Sequence, residues 1–422
     1  MGRKIETELG KVALFTKVKG YSVPVVTNLL STMELIGIAL NVEEKDMILP
    51  KIIEALDNPV KPKKVTSGPV KEEKILEPSK IDLLDLFPIP VHAIKDSGPF
   101  ITAGLVFARD PSNGRQNISY HRMEVKGPRT LGIHIDPWRH LGDWFSITEE
   151  NGKGLDISIV IGVDPVIEMA AAARIPYDEL ELAGAMRGKE IEVVKSETNN
   201  IFVPANAEIV IEGEIKPKQR EDEGPFAEFT GYYGMGRRHP VVEVKAVTMR
   251  KNPIYRTIIG ASMEHLIVGN VISREPILYK SVKEVDPNVK AVHIPPYSAG
   301  FHAIISTKKT IEGLPKNIIF AALASHINIK HVIVVDDDVD IFDPKDVFWA
   351  MATRVQADKD IFIVPDAFGH PLDRTSRNGV TAKMGIDATK PLDRKDEFER
   401  VSWLDIDLQR YLGNKKNNFN ES

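Results

Sequence analysis

Between Phe100 and Ile277 the chain breaks into seven short runs rich in β-branched and apolar residues, separated by glycine, proline and polar turn residues. They are Ile101 to Ala108, Leu131 to Ile135, Ile157 to Val163, Glu190 to Val194, Glu208 to Ile211, Val241 to Val247 and Ile254 to Ile259. Runs this short suit strands better than helices, and their spacing predicts an antiparallel barrel at the centre of the molecule. One helix is expected within it, from Pro165 to Ala173, where Asp164 supplies an N-cap and Pro165 a first helical residue.

The flanks read differently. Val26 to Leu40 and Lys45 to Leu56 place apolar residues at helical spacing, broken near Asn41 and stopped at Asn58-Pro59. Pro59 to Lys80 is rich in proline and lysine and reads as a connector or surface arm. Beyond Leu278, a helical pattern at Lys316 to His326, a strand at His331 to Val335 and a helix at Pro344 to Arg354 make a β/α alternation. A chain of 422 residues exceeds one ordinary core. The expected fold is therefore α+β and multidomain: an N-terminal α/β region with connector over 1–98, the central barrel over 99–277, a C-terminal α/β domain over 278–400, and a helix or tail over 401–422, with Val401 to Leu412 as a docking helix.

Composition narrows the chemistry. A net charge of −5 leaves no basic footprint for nucleic acid. The absence of cysteine excludes disulfides, thiolate metal sites and cysteine nucleophiles, so any metal must be held by nitrogen and oxygen. No apolar run approaches the roughly 18 residues of a membrane span, and Met1 to Glu6 turns acidic before any apolar stretch, so a cytoplasmic protein without a membrane partner is expected.

Glu223-Gly-Pro-Phe-Ala-Glu228 sets two carboxylates around a Gly-Pro turn, a backbone that disfavours helix and aims side chains from a loop or strand entry. Such a pair can hold and hand over a proton; it can also be two solvated acids after the polar run Lys216 to Asp222. Asp336-Asp-Asp338, at the end of the strand from His331, is where nucleotide-sugar transferases hold a metal, so a glycosyltransferase is an alternative of another class. Arg237, Arg238 and His239 are either a solvated turn or a second anion site.

Further strings carry a resemblance: Asn117-Ile-Ser-Tyr-His-Arg122, Ile133-His-Ile-Asp-Pro-Trp-Arg-His140, Tyr177-Asp-Glu179 continuing to Gly188, Val203 to Gly213, and Lys383-Met-Gly-Ile-Asp-Ala-Thr389. With the glutamate loop they resemble the UbiD family of prenylated-FMN-dependent decarboxylases, in one order over roughly two thirds of the chain. The resemblance implies a split barrel of the flavin-reductase type. It places Asn117, His140 and Glu179 on the positions that hold Mn2+ (or Mg2+) against the cofactor phosphate, with K+ as a further candidate ion. Ser119, Tyr120, His121, Arg122, Arg139, His140 and Leu141 fall on flavin-binding positions, and Lys383 on one near the phosphate. Arg122, Glu223 and Glu228 match the catalytic trio: Arg122 positions the substrate carboxylate, Glu223 orients Arg122, and Glu228 delivers the proton that replaces carbon dioxide.

The chain lacks the long C-terminal extension of ubiquinone-type members and is most similar to archaeal ones that convert trans-anhydromevalonate 5-phosphate to isopentenyl phosphate in the mevalonate pathway. Decarboxylation of a 4-hydroxybenzoate or another aromatic acid is the alternative, and a non-catalytic cofactor-binding subunit a third. A separate flavin prenyltransferase would supply the cofactor. Homodimers or larger homo-oligomers are expected from the family, through the C-terminal domain.

Overall fold

Residues 1–377, 379–404 and 406 are described by the computed structural model. Its centre is a nine-stranded sheet curled into a half-barrel. The strands run in the order Phe100–Ile101, Met123–Gly127, Thr130–Ile133, Arg237–Met249, Ile209–Glu223, Leu155–Ile161, Leu105–Arg109 and Gln116–Tyr120, with Glu73–Ile75 added against Arg237–Met249. All pairings are antiparallel. The two end strands do not pair, so the sheet stays open.

Strand alternation explains why this sheet separates two cores. Ile157, Ile159 and Ile161 enter one core with Leu131, Trp144 and Val242. Val160, pointing the other way, enters a second with Phe107, Leu180 and Val210. The helix expected after Asp164 is present as Pro165–Ala172, its cap accepting from the Val166 N–H at 3.1 Å.

Two of the seven runs leave this sheet. Glu192–Lys195 pairs with Phe202–Pro204 and Lys63–Lys64 in a separate three-stranded sheet, and Tyr255–Arg256 pairs with Val25–Thr27 in another. Conversely, Gln116–Tyr120 belongs to the half-barrel although Gln116, Asn117 and Ser119 mask its apolar content. The connector is also more than an arm: Lys63–Lys64 and Glu73–Ile75 are strands, and Val70 is fully buried between them. In the N-terminal region the first helix is shorter than its pattern, because Val25–Thr27 is a strand and the helix runs over Met33–Leu40. Asn41, at φ 54°, closes it before the next helix at Ile48–Asp57.

The C-terminal sheet has the order Val289–His293, His302–Thr307, His331–Asp336, Val380–Ala388 and Ile361–Phe368, with helices Leu314–Ser325 and Pro344–Arg354 as the alternation predicts. Its acidic triplet is not a metal site. Arg354 Nη1 lies 2.9 Å from Asp336, Arg354 Nη2 2.8 Å from Asp338, and Lys390 Nζ 2.8 Å from Asp338. These internal cations tie a strand end to a helix and to the segment after the next strand, which overturns the glycosyltransferase reading. Of the helix expected over Val401 to Leu412, Val401–Leu404 are exposed and non-helical; nearly all of the rest lies outside the described residues.

Candidate active site

One cavity of about 310 Å³ lies between the half-barrel, the segment after Arg256 and the C-terminal domain, a size within the range of small-ligand sites. The half-barrel strand and the turn after it contribute Asn117 to Arg122, and the segment after Glu223 contributes Phe226, Glu228 and Phe229. The segment after Arg256 contributes His265 to Arg274, and the C-terminal domain His326 and His370.

At one station, Arg122 is clamped. Its Nε donates to Glu223 Oε1 at 2.7 Å and its Nη2 to Glu223 Oε2 at 3.1 Å, while Nη1 pairs with Glu228. The local backbone explains how residues five apart reach the same guanidinium. Glu223 ends the strand Ile209–Glu223, opposite Arg237. The chain then turns at Gly224, whose φ of 88° favours glycine and whose N–H is held by Glu124 at 2.9 Å. A miniature hairpin, Phe226–Ala227 with Tyr233–Gly234, swings Glu228 back. A Cβ on Gly234 would come within 2.7 Å of Glu228 Oε1, so only glycine leaves that carboxylate its place.

Both acids are buried, Glu228 at 4% exposure and Glu223 at 0%. Burial raises the pKa of Glu228 above the ordinary carboxylate range, with Arg122 and His134 pulling against it and Glu223 adding to it. Two histidines that sequence reasoning did not place complete the cluster. His134 Nδ1 lies 3.2 Å from Arg122 Nη2 and 3.1 Å from His239 Nε2, and His134 Nε2 faces Asp136 at 3.4 Å. Donor atoms of His134, Glu223 and His239 lie within 4.8 Å of one another, as a metal site would require. The guanidinium already in their midst argues against a cation there. His239 is pushed down to about 4, by burial and then by the field of His134, and is neutral near pH 7.

A second station joins Asn117, His140 and Glu179. One amide atom of Asn117 lies 2.6 Å from His140 Nδ1. With nitrogen in that place, the amide also donates to Glu179 Oε1 at 3.1 Å and accepts from the Ile118 N–H at 3.0 Å. Glu179 Oε2 takes the Ile118 N–H at 2.9 Å. His140 and Glu179 are each the first residue of a helix, His140–Glu150 and Glu179–Arg187, so two positive helix ends converge beside the strand carrying Asn117. Burial pushes Glu179 up to about 8. A buried carboxylate, an imidazole and an amide that can turn its oxygen inward are a donor set that fits a hard or borderline divalent ion, which would stabilise the ionised acid.

The remaining expected residues divide. Ser119, Tyr120, His121 and Arg139 line the cavity. Gln116–Tyr120 is an end strand of its sheet, so one edge of its backbone has no strand partner. Leu141 is buried in the barrel core and outside the lining. Lys383 is also outside it, donating to the Leu323 carbonyl at 2.7 Å. Arg237 and Arg238 are exposed and absent from the lining; Arg238 donates to the Arg220 carbonyl, and His239 sits behind Glu223. Of the two readings of these three residues, solvated or a second anion site, the exposure of both arginines favours the first.

Behind Tyr120 lies a network that sequence reasoning missed. Its hydroxyl donates to Glu168 at 3.3 Å, and Arg256 bridges Glu168 at 2.9 Å and Glu264 at 2.7 Å. Glu264 in turn accepts from the Asn28 and Leu30 N–H groups at 3.0 and 2.8 Å. The available signal was a lone charge in each of three apolar stretches.

The whole described fold has known counterparts. Residues 1–56, 62–263 and 269–388 match the N-terminal, Rift-related and C-terminal domains of 3-octaprenyl-4-hydroxybenzoate carboxy-lyase. An anhydromevalonate phosphate decarboxylase of Methanothermobacter thermautotrophicus is 39% identical over 397 residues, covering 93% of this chain and 91% of that protein. The UbiD-class enzyme HmfF from Pelotomaculum thermopropionicum, solved in complex with FMN, superposes with a TM-score of 0.89 at 50% identity, over 95% of this chain and 91% of that one. An evolved dimeric form of HmfF with prFMN superposes at 0.86 and 46%, over 95% and 90%. Matches that span the three segments in order, around a cavity where an arginine is clamped by two buried glutamates, place this chain in the UbiD family of carboxy-lyases.

Proposed function

We propose that the chain decarboxylates an α,β-unsaturated acid with prenylated FMN held in the 310 Å³ cavity, trans-anhydromevalonate 5-phosphate being the substrate. The observation that carries this reading is the Arg122 clamp, set in the same cavity as the Asn117–His140–Glu179 donor set. On this reading the half-barrel is a split barrel of the flavin-reductase type. Asn117, His140 and Glu179 would hold a manganese or magnesium ion against the flavin phosphate, and the edge of Gln116–Tyr120 would meet the ring system. When bound, the prenylated flavin supplies the electron sink that loss of carbon dioxide requires.

The chain's own residues then have separate tasks. Glu223 fixes two nitrogens of the Arg122 fork, leaving Nη1 as the group that an incoming carboxylate can share with Glu228. A second carboxylate beside Glu228 raises its proton affinity further, which favours the protonated, donating form when substrate is in place. It delivers that proton to the carbon that lost its carboxyl group. His134 and Asp136 hold the far side of the guanidinium. The 39% identity to an anhydromevalonate phosphate decarboxylase supports the substrate. The cofactor would come from a separate flavin prenyltransferase in the cytoplasm, and the working unit is a homodimer or larger assembly.

Replacement of His140 by alanine tests the holding site. The variant is expected to fold yet lose both divalent metal and flavin, read by metal analysis and flavin absorbance on the reconstituted protein. Wild-type occupancy of both would remove His140 from the ligand set.

A further inference from the structure

The loop that carries Glu228 back to Arg122 cannot hold its own shape. Its pairing, Phe226–Ala227 with Tyr233–Gly234, is two residues a side, and Tyr232 and Met235, flanking its second strand, are exposed. A hairpin of that length with no core of its own is at best marginally stable in water. Yet proton delivery needs Glu228 at a fixed place, since a displacement of about 1 Å can cost a hundredfold in rate.

Two acids outside the loop supply what it lacks. Glu124 is 3% exposed on the strand Met123–Gly127, two residues after Arg122. Arg122 holds the carboxylates of the loop, and Glu124 holds the backbone between them: its Oε2 accepts from the Gly224 N–H at 2.9 Å, with Lys126 Nζ 2.9 Å away to answer its charge. Asp96 comes from the segment before the half-barrel. It is half-buried and accepts from the N–H of Ala227, the residue before Glu228, at 3.0 Å and from the Ala93 N–H at 2.9 Å. Its neighbours join in. The Ser97 N–H donates to the Pro225 carbonyl at 3.0 Å, and the Lys95 N–H to the Tyr233 hydroxyl at 3.2 Å. The Phe226 ring packs on Phe100 at 4.7 Å between centroids and lies 5.3 Å from the Arg122 guanidinium. Asp96 and Glu124 are themselves outside the cavity lining.

We propose that Asp96 and Glu124 are positioning residues for proton delivery: by holding the Ala227 and Gly224 N–H groups, they keep Glu228 against Arg122. The proposal rests on the decarboxylase reading and adds to it how the proton donor is kept in place. Both acids act through the backbone of the loop, so an uncharged oxygen at the same position can do the same work.

Two measurements on the full chain test this, one of them without turnover. Asp96→Ala and Glu124→Ala remove the acceptors, while Asp96→Asn and Glu124→Gln keep an oxygen for the same N–H groups and guard against a folding defect. With prenylated FMN and trans-anhydromevalonate 5-phosphate, each alanine variant should lose about tenfold to a hundredfold in kcat, with KM and FMN affinity within about twofold of wild type. Each amide variant should recover most of that loss. In pH-difference infrared spectra of the FMN-loaded chain, the carboxyl band of Glu228 is the one absent from Glu228→Gln. Burial, Arg122, His134 and Glu223 set its titration, so a Glu228 released from them should titrate lower, toward the ordinary carboxylate range. That shift is expected in the alanine variants and not in the amide ones. An unmoved Glu228 titration in both alanine variants, a loss that the amides do not restore, or a loss of FMN affinity in step with the rate would overturn the positioning role. Absence of turnover in wild type would instead remove the decarboxylase reading, and the infrared comparison would still decide whether the two acids hold Glu228.

Discussion

Glu228→Gln will fold and take up flavin but lose turnover by about a hundredfold to ten-thousandfold, the usual worth of a positioned proton donor. The amide preserves the shape beside Arg122 and Gly234 but carries no proton of suitable acidity. Product formation, read beside far-UV circular dichroism and flavin absorbance, checks it. The pH profile adds a sign. Burial raises the pKa of Glu228, so its protonated, donating form persists to higher pH than in an ordinary glutamate, and the rate should fall as pH rises through that raised value. A Glu228→Gln enzyme within a few-fold of wild type would move the proton to Glu223 or to water.

Arg256→Ala will destabilise the fold by about 3–5 kcal/mol, the cost of leaving buried carboxylates uncompensated. Arg256 is 1% exposed between Glu168 at 1% and Glu264 at 0%. Two acids would lose one shared cation, and Glu264 would go on bracing the Asn28 and Leu30 N–H groups with its charge unpaired. Chemical denaturation measures the loss, and the double variant Glu168→Gln with Arg256→Met should recover part of it. A single-variant loss under about 1 kcal/mol would mean that solvent reaches the network, because exposed ion pairs are worth that little.

Why some of this was legible in the sequence and some not follows from how local each signal is. Helices with a cap or a proline at the start, such as Pro165–Ala172 and Pro344–Arg354, were readable because their boundaries are set within a few residues. The strands of the half-barrel were readable where burial on both faces makes a largely apolar run, as in Ile157 to Ile161. Gln116–Tyr120 was not: its polar residues serve the cavity, which breaks the alternation that marks a strand. Sheet membership was the other failure. Nothing near Tyr255 says that its partner is Val25, because that pairing is settled by packing between distant segments.

The site shows the same division. Motif resemblance drew attention to Asn117, Arg122, His140, Glu179, Glu223 and Glu228, which the fold brings to one cavity or its wall. Resemblance could not tell that Arg237 and Arg238 face solvent while His239 faces Glu223, since strand register decides it.

The central claim is tested most directly by supplying trans-anhydromevalonate 5-phosphate to the wild-type chain, reconstituted with prenylated FMN and manganese, in deuterated water. Carbon dioxide should be released in step with isopentenyl phosphate that carries one deuterium at the carbon vacated by the carboxyl group. A fully flavin-loaded enzyme that releases no carbon dioxide from this acid, while decarboxylating an aromatic one, would contradict the substrate; release from neither would contradict the proposed reaction.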